Sequence, residues 1–109
     1  MDVDSVKVGY ADYTVEKWPG QDASDNESHG IVYHDKHRIR IVEGLDEPYM
    51  AEVLIHELGH CVCNVFQLHL PSEIEERLVG AFSHGIAMIV RDNPGLVVEL
   101  MVALGCDDE

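Results

Sequence analysis

Basic residues are scarce in this chain: 7 lysines and arginines face 21 aspartates and glutamates, a formal charge of −14. That balance argues against a nucleic-acid binder working through a basic surface. No basic cluster is larger than Lys36, Arg38 and Arg40. The charge leaves room for a basic partner, or for a protein that imitates nucleic acid, though its commoner consequence is solubility. Long apolar runs are missing too, none reaching the roughly 18–20 residues that span a bilayer. The opening stretch MDVDSVKVGYADYTV lacks the basic start and apolar core of a secretory signal, so the expected compartment is the cytoplasm, with no membrane partner. Cysteine is limited to Cys61, Cys63 and Cys106, an odd number without C-x-x-C spacing. The expectation is reduced cysteines that mostly pack.

What is present describes one domain, residues 1–109, long enough to bury a core unaided. Val6, Val8, Tyr10 and Tyr13–Val15 predict a first strand or a bent pair. PGQDASDNESHG, Pro19 to Gly30, is polar and rich in turn formers and predicts a loop. Ile31 and Tyr33, then Arg38–Val42, alternate on two arms around Asp35 and Lys36, which predicts a hairpin. The first half therefore predicts about three short strands in a small antiparallel sheet.

The second half predicts helices. Asp46 is placed to cap a helix that takes Glu47 and Pro48 into its first turn and runs to about Phe66. Its apolar residues Tyr49, Val53, Leu54, Leu58, Val62 and Val65 recur at helical spacing. Ser72 and Glu75 form an S-x-x-E capping box for a second helix, with an apolar face of Leu78, Phe82, Gly85, Ile86 and Ile89. Asn93 and Pro94 begin a short third helix. Strands followed by helices give an α+β fold, and the short link between the first two helices makes them antiparallel neighbours.

The first helix carries VLIHELGHCVCN. His56 and His60, four apart, lie on one face and can offer two imidazoles to one ion. Glu57 is rotated about 100° from His56 and can reach a water held by that ion. Two ligands and a general base are the division of labour of H-E-x-x-H metallopeptidases. Two histidines at this spacing also arise by chance on solvated helices. Here they sit in an apolar helix, where unpaired polar groups would be costly to bury. Gly59 in a helix interior costs about 1 kcal/mol relative to alanine, and close packing beside the metal is a reason for it.

A catalytic zinc site needs a third protein ligand. His69, Glu73, Glu75, Glu76 and His84 follow. A three-histidine pattern fails, since Cys63 and Phe66 replace its glycine and last histidine. Glu75 is occupied in the capping box but leans toward the apolar face, so the residues alone leave Glu75 and Glu76 both open. His84, His69 and Tyr49 are candidates to donate to an oxyanion.

His56-Glu57-Leu58-Gly59-His60 followed by a glutamate on the next helix resembles the gluzincin metallopeptidases. Within them it looks most like the small ImmA/IrrE-type proteins of phages and mobile elements, over about Met50 to Leu104. Relatives carry a glutamate followed by x-x-A-D/N-x-F-A, and ERLVGAFS puts Glu76, Val79, Gly80, Phe82 and Ser83 in those places. The resemblance thus implies zinc on His56, His60 and Glu76, with Glu57 as general base, in a minimal zincin fold. It implies hydrolysis of a specific protein or peptide target, such as a repressor. The chain departs from the pattern at Gly80, where relatives often hold a polar residue that supports a ligand histidine. The resemblance also implies an edge strand that takes the substrate by strand addition, for which Arg38–Ile41 is the nominee. Two rivals stand beside hydrolysis: a zincin-fold binding module with little turnover, and an acidic protein that mimics DNA.

Overall fold

In the computed structural model, which describes residues 1–19 and 29–106, the alternating valines near the start form a hairpin. β1 (Ser5–Val8) and β2 (Ala11–Trp18) are joined by Gly9 and Tyr10, with Gly9 at φ 59°. A two-residue hairpin loop favours positive φ at its first position, where glycine has no Cβ to clash. β3 (Gly30–Tyr33) and β4 (Arg38–Val42) form the second hairpin, closed by a 3-10 turn at His34–Lys36 and a left-handed His37. Of the expected loop Pro19–Gly30, residues 20–28 lie outside the described residues, and Gly30 already belongs to β3.

The sheet order is β1-β2-β4-β3. It has four strands rather than about three, and it is mixed rather than antiparallel. β2 and β4 run parallel, with Thr14 opposite Arg38 and Trp18 opposite Val42. Alternation tells a side chain which face to take but not which strand lies alongside, so this pairing was not legible. Charge favours it: Glu16 on β2 accepts a hydrogen bond from Arg40 Nε at 3.0 Å and stands 3.2 Å from Arg38 Nε. Two of the three cations of the expected basic cluster are thereby engaged. β4 is an interior strand paired on both sides, so Arg38–Ile41 is not the edge strand it was expected to be; β3 is.

Asp46 stands at the N-cap of α1 (Glu47–Val65), with Pro48 in the first turn, although the Asp46 side chain makes no capping bond. The helix lies across the sheet. Met50, Val53, Leu54, Cys61 and Val65 pack on Val8, Ala11, Tyr13, Ile39 and Ile41. Each fully buried aliphatic side chain in such a layer contributes roughly 1.5–3 kcal/mol. The inward stripe is rotated from the expected one, leaving Tyr49 and Val62 exposed.

α2 (Ser72–Asp92) starts from Pro71 at its N-cap, and no capping box forms. The Glu75 amide donates to the Pro71 carbonyl at 2.9 Å while its carboxylate goes elsewhere. α3 (Pro94–Ala103) follows Asn93, whose side-chain amide donates back to the Ile89 carbonyl at 3.1 Å and so closes α2 rather than capping α3. Glu52 pairs with His84 and His60 with Glu75, so α1 and α2 are antiparallel, as expected.

The face that α2 turns to α1 is Val79 and Ser83, not the stripe of Leu78, Phe82, Ile86 and Ile89, which stays exposed. α1 presents Gly59 at this crossing. A Cβ there would stand 2.8 Å from Val79 Cγ1. The close packing expected at this glycine is made with Val79 of α2, and the approach brings Glu75 and Glu76 onto the histidines of α1. No described helix is long and apolar enough to cross a membrane.

Candidate metal centre

His56 and His60 project from one face of α1, their rings 5.1 Å apart and edge to face. Glu76, from the first turns of α2, reaches both. Its Oε1 lies 2.8 Å from His56 Nε2 and its Oε2 lies 3.2 Å from His60 Nε2. Donor atoms of the three residues fall within 4.8 Å of one another. Zinc takes imidazole nitrogen and carboxylate oxygen at about 2.0–2.2 Å, which sets ligand-to-ligand edges of about 3.4 Å in a tetrahedron. The two Glu76 contacts are tighter than that, and this exposed carboxylate has solvent to withdraw into. Donor type and spacing both fit such an ion.

Glu75 takes a different part. Its Oε2 stands 2.7 Å from His60 Nδ1. A carboxylate on the outer nitrogen fixes the ring's tautomer and leaves Nε2 for a ligand bond. Of the two glutamates left open by the residues, Glu76 joins the histidines and Glu75 holds one of them. Gly80 faces His56, its would-be Cβ 3.9 Å from His56 Cε1, so no side chain from that position supports the ring.

Glu57, one position on from His56, turns toward the sheet and is 8% exposed. Burial raises its carboxyl above the ordinary range, with His56 and His60 opposing the shift and Glu76 adding to it. Gly30 of β3 lies against it: a Cβ on Gly30 would meet Val53 Cγ1 at 2.8 Å and Glu57 Cγ at 3.0 Å. The edge strand therefore passes directly over the candidate base.

A cleft of about 450 Å³ opens here, between β3 on one side and α1 and α2 on the other. Besides His56, His60, Glu76 and Glu57 it contains two polar pairs that spacing alone did not reveal as pairs. His84 Nδ1 lies 2.7 Å from Glu52 Oε1, and His29 Nδ1 lies 2.7 Å from the Tyr49 hydroxyl. Glu52 was not anticipated, yet it sits four residues before His56, on the same helix face. His34 was also missed; it borders the cleft, its Nδ1 is buried with no hydrogen-bond partner among the described residues, and burial lowers its pKa. Of the anticipated donors, His84 and Tyr49 line the cleft. His69 lines a separate pocket with Cys63 and Glu75, and Glu73 lines neither.

Cys61 and Cys63 are buried and Cys106 is exposed, all three as free thiols. No family model, curated protein or solved structure matches the chain.

Proposed function

We propose that this chain is a zinc-dependent metallopeptidase of the gluzincin kind its motif resembles, acting in the cytoplasm on a specific protein or peptide target such as a repressor. One observation carries the reading: two imidazoles and one carboxylate converge on a single point in a cleft, with a second, buried carboxylate beside them. A helix that merely happened to carry two histidines would not need the neighbouring helix to deliver Glu76 between them and Glu75 behind one of them.

Bound to His56, His60 and Glu76, zinc would supply Lewis acidity and a water of lowered pKa. The protein's own residues do the rest. Glu57 accepts the proton of the attacking water and returns it to the departing amine. A carboxyl raised above its ordinary range suits that double role better than one held far below it. Glu75 keeps His60 in one tautomer. β3, at the edge of the sheet among the described residues and lining the cleft, takes an extended peptide as an added strand. His84 presents Nε2 to the substrate because Nδ1 faces Glu52, and with Tyr49 it is the group available to meet negative charge on the carbonyl oxygen.

Gly80 favours a second reading, a zinc-holding module that docks a partner without cutting it, since His56 lacks the support that relatives give. One experiment tests the reading and separates it from this rival: metal content of the purified protein, followed by cleavage of a degenerate peptide library by wild type and Glu57→Gln. Cleavage by wild type that the variant loses while keeping its zinc supports hydrolysis. Equal cleavage by a zinc-replete Glu57→Gln protein would overturn the mechanism, and zinc with no cleavage by either would favour the docking module.

A further inference from the structure

Glu52 is a cleft carboxylate that holds neither the metal nor the transferred proton. It stands one helical turn, about 5.4 Å along the axis, before His56 on α1. Across the seam Glu76, Gly80 and His84 follow at four-residue spacing on α2, so they form one row along the cleft. Glu52 meets the last of that row, its Oε1 lying 2.7 Å from His84 Nδ1. Glu76, at the other end, meets His56 at 2.8 Å. Between these two rungs α2 offers only the hydrogen of Gly80. A Cβ there would approach nothing on α1 closer than His56 Cε1, at 3.9 Å. The seam therefore has a notch beside a metal-binding histidine, with Glu52 on its far rim.

We propose, resting on the hydrolytic reading of this cleft, that the notch selects a lysine or arginine beside the scissile bond, with Glu52 as its counter-charge. Charge and size both favour such a side chain. Glu52, Glu57 and Glu76 line the cleft, and among the described residues no lysine or arginine does. Glu57 and Glu76 would be balanced by a divalent ion, which leaves Glu52 as the carboxylate in excess. His84 engages one of its oxygens, and an ionised carboxylate has acceptor sites for further donors. The Glu52 side chain is 39% exposed, so an arriving cation can reach it. Arg91, seven residues beyond His84, also feels Glu52, but its guanidinium is held by Asp92 at 2.8 and 3.2 Å, and Asp92 is what raises it most. Gly80 gives width for a long unbranched stem, and Ile31 and Val53 line the cleft as apolar surface for it. A short side chain on the same peptide would not span the turn that separates Glu52 from His56.

Binding and cleavage are read separately. The full chain carrying Glu57→Gln is loaded with zinc and titrated with fluorescein-labelled hexapeptide pools. Each pool is degenerate except for one position, fixed in turn as lysine, norleucine or glutamate. At one position lysine should bind about tenfold more tightly than norleucine, as one charge-assisted contact gives, and glutamate more weakly than either. Adding Glu52→Gln should bring lysine and norleucine together at that position. Glu52→Arg should make glutamate the preferred residue there. Unchanged circular dichroism and zinc content show that these variants keep the fold and the metal centre. Equal binding of lysine and norleucine pools at every position, or no binding of any pool, overturns the proposal. So does a lysine preference that Glu52→Gln retains, or one that is the same at all positions, which marks general attraction to an acidic chain. Cleavage of the same pools by wild type addresses hydrolysis alone. Cutting without a basic preference removes Glu52 from recognition and leaves the metallopeptidase standing. A lysine preference in binding that depends on Glu52, with no cutting, keeps the cation site and removes hydrolysis.

Discussion

Glu75 Oε2 stands 2.7 Å from His60 Nδ1, while the adjacent Glu76 approaches Nε2 of the same ring at 3.2 Å. Two consecutive glutamates on one helix thus hold opposite nitrogens of one imidazole. Their substitutions should behave differently. Glu76→Ala is expected to lose the metal outright. Glu75→Ala is expected to keep one zinc per chain at saturation but bind it about 10–100-fold more weakly. Metal analysis combined with competition against a chelator distinguishes the two, and equal losses in both variants would contradict this division.

Glu57→Gln preserves shape and removes the base. It should bind zinc like wild type and cleave about 10²–10⁴-fold more slowly. Rates on any peptide that wild type cuts, with zinc occupancy measured on the same samples, check this.

The same substitution has a consequence for stability that needs no substrate. Burial raises the Glu57 carboxyl above its ordinary value of 4.5, so the folded state binds that proton more tightly than the unfolded state does. The unfavourable contribution is absent below the ordinary glutamate range and grows as pH rises through the folded value. Metal-free Glu57→Gln should therefore melt a few degrees above metal-free wild type at mildly alkaline pH, with the gap closing toward acid pH. Thermal melts across that range test it; a gap that widens on acidification would refute the sign.

Gly59→Ala introduces a Cβ 2.8 Å from Val79 Cγ1. The better helix propensity of alanine is worth about 1 kcal/mol, and overpacking at a close contact costs about 1–3 kcal/mol. The net should be a loss of stability, and Val79→Ala in the same chain should recover part of it. Denaturant midpoints of the single and double variants measure this.

The thiols divide by burial. Cys61 is fully buried and its thiol is pushed up to about 11 by burial, and burial also raises Cys63. Cys106 is exposed. One thiol per chain should react rapidly with a disulfide reagent under native conditions, and Cys106→Ser should abolish that phase. Fast reaction of Cys61 as well would show that α1 does not pack on the sheet as described.

Local chemistry by itself determined much of this protein. The spacing of His56, Glu57 and His60 required only a helix to put two rings on one face and the acid beside them. The alternation of Arg38–Val42, and Asp46 before Glu47 and Pro48, placed β4 and the start of α1 for the same reason: each depends on neighbours in the chain. Tertiary structure decided what depends on distant partners. Whether β4 lay at an edge turned on its pairing with β2, and Glu16 lies more than twenty residues before Arg38. Which of Glu75 and Glu76 reached both histidines, and which only the outer nitrogen of His60, turned on the rotation of α2 against α1, set where Gly59 admits Val79. A rotation of one residue would exchange the two acids, and nothing within ERLVGAFS specifies it. The apolar stripe of α2 marked a surface that avoids water; only the packed chain left it uncovered by any described residue, because the contact with α1 was already made through smaller side chains.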